Sequence, residues 1–185
     1  MINQLLKDVA VAENAFRSAA GNPCNKFTGA VTTELLRNSL QAALGVSVVL
    51  SPRDSFILGV PLEIDLLALR PGTIPVNLIC YRPDDVIAAV EVKNVGSFGD
   101  ATIKTVKANF GKIRSVAKSA HCCYVALTER QGFRWAVTSA NTGFPAYTLS
   151  THGTWKKPFT DQTATEDFDR LVEDLRRWAA AIHRP

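Results

Sequence analysis

Two stretches decide the fold of this chain: LEIDLLAL at residues 62–69 and VIAAVEVKN at residues 86–94. Both are short, rich in Val, Ile, Leu and Ala, and bounded by turn residues, which is typical of β-strands. The residues before Glu91 are apolar on both faces, so we expect a strand that is covered on both sides. The two stretches therefore predict neighbouring strands in the interior of a sheet.

Each predicted strand carries charge where an interior strand should carry none. Asp65 lies in the first stretch, and Glu91 and Lys93 lie in the second. Side chains alternate along a strand, so Glu91 and Lys93 share one face, and Asp65 on a neighbouring strand can join them. Two carboxylates and an ammonium suit a divalent cation and an attacking water. The alternative is that Glu91 and Lys93 form only a solvated charge pair.

Asp65 followed by Glu91-Val92-Lys93 resembles the PD-(D/E)xK nuclease superfamily, which includes many restriction endonucleases and repair nucleases. The residue before Asp65 is Ile64 rather than Pro, so the literal PD pair is absent. The resemblance covers roughly residues 28–150 and implies an α/β fold with a restriction-endonuclease-like αβββαβ core, a central mixed sheet flanked by helices. Residues 85–93 are also similar to a family of uncharacterised bacterial nuclease-like domains.

The resemblance also implies an activity, metal-dependent cleavage of DNA. It assigns Asp65 and Glu91 as metal ligands, with the Val92 carbonyl as a third oxygen and Lys93 orienting the attacking water. Many members of the superfamily carry a further metal-binding Glu on the first core helix, and Glu34 matches that position. A solvated pair between Glu34 and Arg37 is the competing interpretation. All-oxygen ligands favour Mg²⁺, with Mn²⁺ as a substitute.

The remaining elements follow from apolar periodicity and turn residues. A short strand within residues 74–81 is possible, and residues 153–162 are expected to form a loop. Helices are predicted at residues 3–20, 28–44, from about 100 to 120, and 165–182, and further strands at 46–50, 56–58, 122–128, 134–138 and 146–149.

A basic arc is predicted along the helix that starts near Asp100. At 100° per residue its four cations share one narrow arc beside the apolar stripe. Such an arc is either a solvated face or a ridge that contacts phosphates of nucleic acid without reading sequence. The arc consists of Lys104, Lys107, Arg114 and Lys118. His121 follows this helix and either lines the site or simply begins the next strand.

The length of 185 residues indicates one domain over residues 1–185, with extra helices at both ends of the core. A net charge of +4 is compatible with a polyanionic partner, which we expect to be DNA. The four cysteines include no Cys-x-x-Cys pair and are expected to be reduced, in a cytoplasmic protein. A helix needs about 20 apolar residues to span a bilayer, and every apolar run in this sequence is far shorter, so no membrane partner is expected.

Two other functions stay open at the level of sequence. The chain could keep a nuclease-like fold but bind nucleic acid without cutting it, or serve as a protein-interaction module. A homodimer is possible, since enzymes that cut both strands often dimerise, but no motif requires one.

Overall fold

The structure, a computed structural model, describes residues 1–22, 24–96, 100–129, 142–152 and 162–182. Helices α1 to α4 span Ile2–Ala20, Asn25–Leu44, Asp100–Val116 and Asp167–Ile182. Strands β1 to β5 span Val49–Leu50, Phe56–Ile57, Leu66–Leu69, Cys80–Tyr81 and Val86–Gly96. Strands β6 to β9 span His121–Glu129, Ala146–Thr148, Ser150–His152 and Gln162–Ala164.

The central sheet has five strands in the order β1-β3-β5-β6-β7. The pairs β1–β3 and β3–β5 are antiparallel, whereas β5, β6 and β7 run parallel to one another. The parallel step from β5 to β6 passes through α3, as expected for a strand-helix-strand crossover. The sheet is therefore mixed, and the element order α2-β1-β3-β5-α3-β6 is the predicted αβββαβ core.

Helices cover both faces of this sheet. Helices α1, α2 and α4 pack on one face, against residues such as Leu66, Val90 and Val125. Helix α3 packs on the other face, against Leu67 and Ala89 among others. We call these the α2 face and the α3 face. Residues 86–90 of β5 are all buried, which explains why their sequence is apolar without alternation.

Several boundaries differ from the sequence predictions. Helix α2 begins three residues early, because the Thr28 N–H already bonds to the Cys24 carbonyl. Phe56–Ile57 is outside the central sheet and pairs with Cys80–Tyr81 in a separate two-stranded ribbon. Helix α3 ends at Val116 rather than near residue 120. Gln162, predicted in a loop, begins β9, which pairs with β8. The predicted strand at residues 134–138 lies outside the described residues.

The most consequential difference concerns Asp65, which was predicted inside a strand. Strand β3 begins at Leu66, so Asp65 immediately precedes it. The reason is a change of backbone partner. Strand β1 and Ser51 pair with residues 67–69, whereas Ile64 and Asp65 bond instead to the loop at Asp54 and Ser55.

Ser51 closes the β1 side of this junction. Its backbone N–H donates to the Leu67 carbonyl at 2.9 Å, and its buried hydroxyl accepts the Leu67 N–H at 2.9 Å. One residue thus satisfies both backbone groups of Leu67 where β1 has ended, two positions from Asp65.

We expect Ser51→Ala to lower the free energy of unfolding by about 1–3 kcal/mol, because the buried Leu67 N–H loses its acceptor. Ser47→Ala is the matched control, since the Ser47 hydroxyl donates to the Leu44 carbonyl from an exposed residue and its loss should cost under about 0.5 kcal/mol. Urea denaturation measures both. Equal stability of the two variants would contradict the role given to Ser51.

Candidate active site

Asp65 and Glu91 face each other across β3 and β5. The antiparallel register pairs Leu66 with Val90, so the next rung places Asp65 opposite Glu91. Leu67 and Ala89, two residues away on each strand, pack on the α3 face. Because side chains alternate along a strand, both carboxylates project toward that same face.

Lys93 completes the group. It lies two residues after Glu91 on β5 and therefore on the same face. Its ammonium Nζ is 2.5 Å from Glu91 Oε1 and 3.7 Å from Asp65 Oδ2. The side chains of Asp65 and Glu91 are 26% and 25% exposed and that of Lys93 is 43% exposed, so the group is half-buried and open to solvent.

The surroundings change the protonation of two members of this group. Burial, together with the nearby charge of Glu91, raises the pKa of Asp65 to about 6, although Lys93 and the Val92 N–H oppose the shift. Burial alone would lower the pKa of Lys93, but Glu91 and Asp65 outweigh it and the pKa is raised. Lys93 is therefore a cation at neutral pH. Asp65 holds its proton to a higher pH than an ordinary aspartic acid, because its carboxylate is partly buried and lies near the charge of Glu91.

Val92 contributes through its backbone. Its N–H donates to Asp65 Oδ2 at 2.6 Å, so the N–H is directed from β5 toward β3. The N–H and C=O of one strand residue point to the same side of the strand. The Val92 carbonyl is thus directed to the region where β3 has not yet begun, beside Asp65.

The donor set fits a magnesium ion. Carboxylate oxygens of Asp65 and Glu91 lie on one rung, and the repulsion between them is what a cation there would relieve. Within the described residues, no three His, Cys, Asp or Glu side chains form a group that could hold a metal. Mg²⁺ does not require one, since it commonly uses one or two carboxylates and keeps several waters.

Glu34 is placed differently from these carboxylates. It lies on α2, whose Leu36 and Leu40 pack on the α2 face of the sheet. Its carboxylate accepts bonds from Arg37, including one of 2.5 Å from Nη2, and this hydrogen bond lowers the pKa of Glu34. The structure therefore shows the pair with Arg37, and a metal contact by Glu34 stays a prediction.

The basic arc lies on exposed positions of α3 and the turn after it. Helix α3 returns from the end of β5 to the start of β6, so Lys104 and Lys107 lie at the Lys93 end and Arg114 and Lys118 at the far end. His121 pairs with Ala88, three residues before Glu91, and its ring stacks on Trp178 with 4.6 Å between centroids. His121 is thus a strand-end residue, and only Lys104 and Lys107 of the arc lie at the end of α3 nearer to Lys93.

Two residues beside the site were not predicted. Tyr124 pairs with Glu91 across β5 and β6 on the α3 face, and burial with the charges of Glu91 and Asp65 raises its pKa. Asp54 bonds through its N–H to the Asp65 carbonyl at 3.2 Å, and its charge adds to the rise in the pKa of Asp65. The sequence carries one signal for each residue: Tyr124 is a polar residue within an apolar strand, and Asp54 is an acid in a turn.

Comparisons with known proteins identify the fold. No protein-family model and no curated protein sequence matches this chain. Among solved structures, it is similar to NucC of P. aeruginosa ATCC27853 in its cAAA-bound form, with a TM-score of 0.63, 9% identity, and coverage of 95% of this chain and 89% of that one. For NucC of E. coli MS115-1, the cAAA-bound form gives a TM-score of 0.61 at 11% identity, over 95% and 88% of the chains.

NucC is a PD-(D/E)xK-type nuclease. At 9–11% identity the likeness concerns the fold alone. The predicted α/β fold, with its αβββαβ core and a central mixed sheet flanked by helices, is confirmed. None of the helices that the structure describes is long and apolar enough to cross a membrane.

The raised pKa of Asp65 leads us to expect that the stability of the fold depends on pH. Its ordinary value is 3.8 and its folded value is about 6, so the folded state holds the proton more tightly. Stability from this group is fully present below about pH 4 and is lost as the pH rises through 6. In metal-free buffer at pH 8 we expect Asp65→Asn to be more stable than the native protein by about 1–3 kcal/mol.

Thermal or urea denaturation from pH 4 to 8 measures this difference, which should shrink toward pH 4. Glu63→Gln is the control, because Glu63 is a nearby exposed acid and should leave the pH profile unchanged. Parallel profiles for the native protein and Asp65→Asn would show that the pKa of Asp65 is not raised in the folded state.

Proposed function

We propose that this chain is a metal-dependent DNA endonuclease whose active site consists of Asp65, Glu91 and Lys93. One observation carries the proposal: the carboxylates of Asp65 and Glu91 lie opposite each other where β3 begins beside β5, and the ammonium of Lys93 contacts both. The similarity of the fold to NucC, a nuclease of anti-phage defence, supports this activity and a role in bacterial defence.

The chemistry of the substrate explains why such a group is needed. A phosphodiester carries a negative charge that repels hydroxide, and its leaving alkoxide is poor. A bound Mg²⁺, or Mn²⁺ in its place, would neutralise charge and lower the pKa of a bound water. Asp65 and Glu91 would hold the ion, with the Val92 carbonyl as a third protein oxygen directed to the same side.

Lys93 has two roles in this proposal. Without a cation, its ammonium bridges Glu91 and Asp65 and offsets their repulsion. With substrate bound, the same ammonium would orient the attacking water and stabilise negative charge that develops on the phosphate. Glu34 would contribute a further contact to the ion, directly or through water, after giving up part of its pair with Arg37.

The polyanionic substrate would lie along the α3 face. Lys104 and Lys107 are exposed at the Lys93 end of α3, where they would bind backbone phosphates near the cleaved bond. Arg114 and Lys118 would extend that contact toward the start of β6. A homodimer would place two such sites on one duplex, and this state of assembly is part of the proposal.

A non-cleaving module is the second candidate function. It is favoured by the 2.5 Å pair between Lys93 and Glu91, which occupies a carboxylate oxygen that an ion would otherwise use. Such a module would bind nucleic acid, or a protein partner, without metal. Calorimetry that shows no Mg²⁺ or Mn²⁺ binding together with salt-sensitive DNA binding would favour it.

The main test is a plasmid-cleavage assay with Mg²⁺ or Mn²⁺. We expect Asp65→Ala, Glu91→Ala and Lys93→Ala each to lower the rate by at least about 100-fold, because each removes charge that the transition state requires. Glu63→Ala, which removes an exposed acid two residues from Asp65, should cleave normally. Retained activity in Lys93→Ala would contradict the assignment.

A second test separates the two interpretations of Glu34. If Glu34 contacts the ion, Glu34→Gln should weaken Mn²⁺ binding by about 10-fold or more, whereas Arg37→Gln should not weaken it. If Glu34 only pairs with Arg37, the two variants should bind Mn²⁺ alike and differ from the native protein by less than about 1 kcal/mol in stability. Calorimetry and urea denaturation of both variants provide the comparison.

A further inference from the structure

The loop after β1 is fastened to the backbone of the site. Ser55 and Ile64 exchange two hydrogen bonds of 2.9 Å, and the Asp54 N–H donates to the Asp65 carbonyl at 3.2 Å. These three bonds fix the position of the loop relative to Asp65. Asp54 is therefore held next to Asp65, and Arg53 precedes Asp54 in the same loop, although both are distant from β5 in sequence.

The guanidinium of Arg53 in this loop is paired with the neighbouring carboxylate of Asp54. Asp54 has a φ of 58°, in the left-handed region that Asp and Asn tolerate better than other side chains. Its Oδ2 is 2.7 Å from Arg53 Nη1, and the two side chains are 45% and 36% exposed for Arg53 and Asp54 respectively. The ion pair is open to solvent, so a stronger anion can compete for the guanidinium.

The two charges of the loop act on different carboxylates. Arg53 helps Arg37 to lower the pKa of Glu34 on α2, while Asp54 adds to the rise in the pKa of Asp65. The loop follows β1, at the sheet edge opposite to β6 and β7. Exposed cations are thus carried by the elements on either side of the β3–β5 pair, with Arg53 in the loop after β1 and Lys104 and Lys107 at the start of α3.

We propose that Arg53 binds the phosphate backbone of nucleic acid on the β1 side of the site, and that Asp54 competes with the phosphate for this guanidinium. The inference rests on the proposed function and extends it to the path of the substrate, from the β1 edge across Lys93 to the first half of α3. Arginine suits this role because its planar fork can donate two parallel hydrogen bonds to a phosphate.

The test is equilibrium binding of a short labelled DNA duplex by fluorescence anisotropy, in EDTA so that no cleavage occurs, over a series of salt concentrations. Arg53→Gln should weaken binding about 5- to 20-fold at low salt and reduce the slope of log affinity against log salt by about 0.9, the value for one phosphate contact. Asp54→Asn should tighten binding about 2- to 5-fold, because it releases Arg53 and Asn also tolerates positive φ.

Two control variants carry the same charge changes elsewhere. Arg17→Gln removes an arginine that is 52% exposed and paired with Glu13 on α1, and Asp84→Asn removes an exposed acid at the opposite end of β5. Both should bind DNA like the native protein. In the Arg53→Gln background, Asp54→Asn should tighten binding less than it does alone, since its effect acts through Arg53.

The outcomes separate the two proposals. If Arg53→Gln keeps the affinity and salt slope of Arg17→Gln, the inference about Arg53 is wrong, whether or not the native protein cleaves DNA with Mg²⁺. If the native protein binds DNA in EDTA but does not cleave it with Mg²⁺, the proposal of an endonuclease is wrong. The salt slope of Arg53→Gln then still decides whether Arg53 binds phosphate. A native protein that binds no DNA would overturn both.

Discussion

The site depends on two like charges held on one rung of a sheet. Asp65 and Glu91 repel each other in a half-buried position, and the ammonium of Lys93 offsets that repulsion by contacting both. Nothing in the packing of the sheet requires acids there. The paired residues Leu67 and Ala89, two positions away on the same face, are apolar and buried. An arrangement that raises the pKa of one carboxyl is unfavourable for folding at neutral pH, and it becomes useful when a cation and an anionic substrate are bound.

The rest of the fold keeps this rung open. Strand β3 begins at Leu66, whereas β5 continues past Val90 to Gly96, so the Val92 peptide extends beyond its neighbour on the Asp65 side. Ser51 and the loop at Asp54 close the gap through backbone bonds rather than by a continued strand. The large apolar cluster with α1, α2 and α4 lies on the opposite face, where it stabilises the sheet without covering the carboxylates.

Some members of the site were accessible to prediction because they lie on one strand. Glu91 and Lys93 are two residues apart, and strand periodicity alone places them on one face. Asp65 was assigned to the correct neighbour strand but to its interior, because alternation in sequence does not show where pairing begins. Tyr124 was missed, since only the register of β5 with β6 brings it beside Glu91. Arg53 and Asp54 looked like ordinary turn residues until hydrogen bonds tied that turn to Asp65.

The amino-acid sequence by itself determined the α/β class, the interior strand that carries Glu91 and Lys93, and the acid on its neighbour, because these follow from local periodicity and from the cost of burying charge. Only the tertiary structure decided which charges meet. Glu34 pairs with Arg37 on a helix of the α2 face, His121 stacks on Trp178, and Asp54 lies against Asp65. Such contacts join residues far apart in sequence, and they are set by strand register and helix packing, which no local pattern encodes.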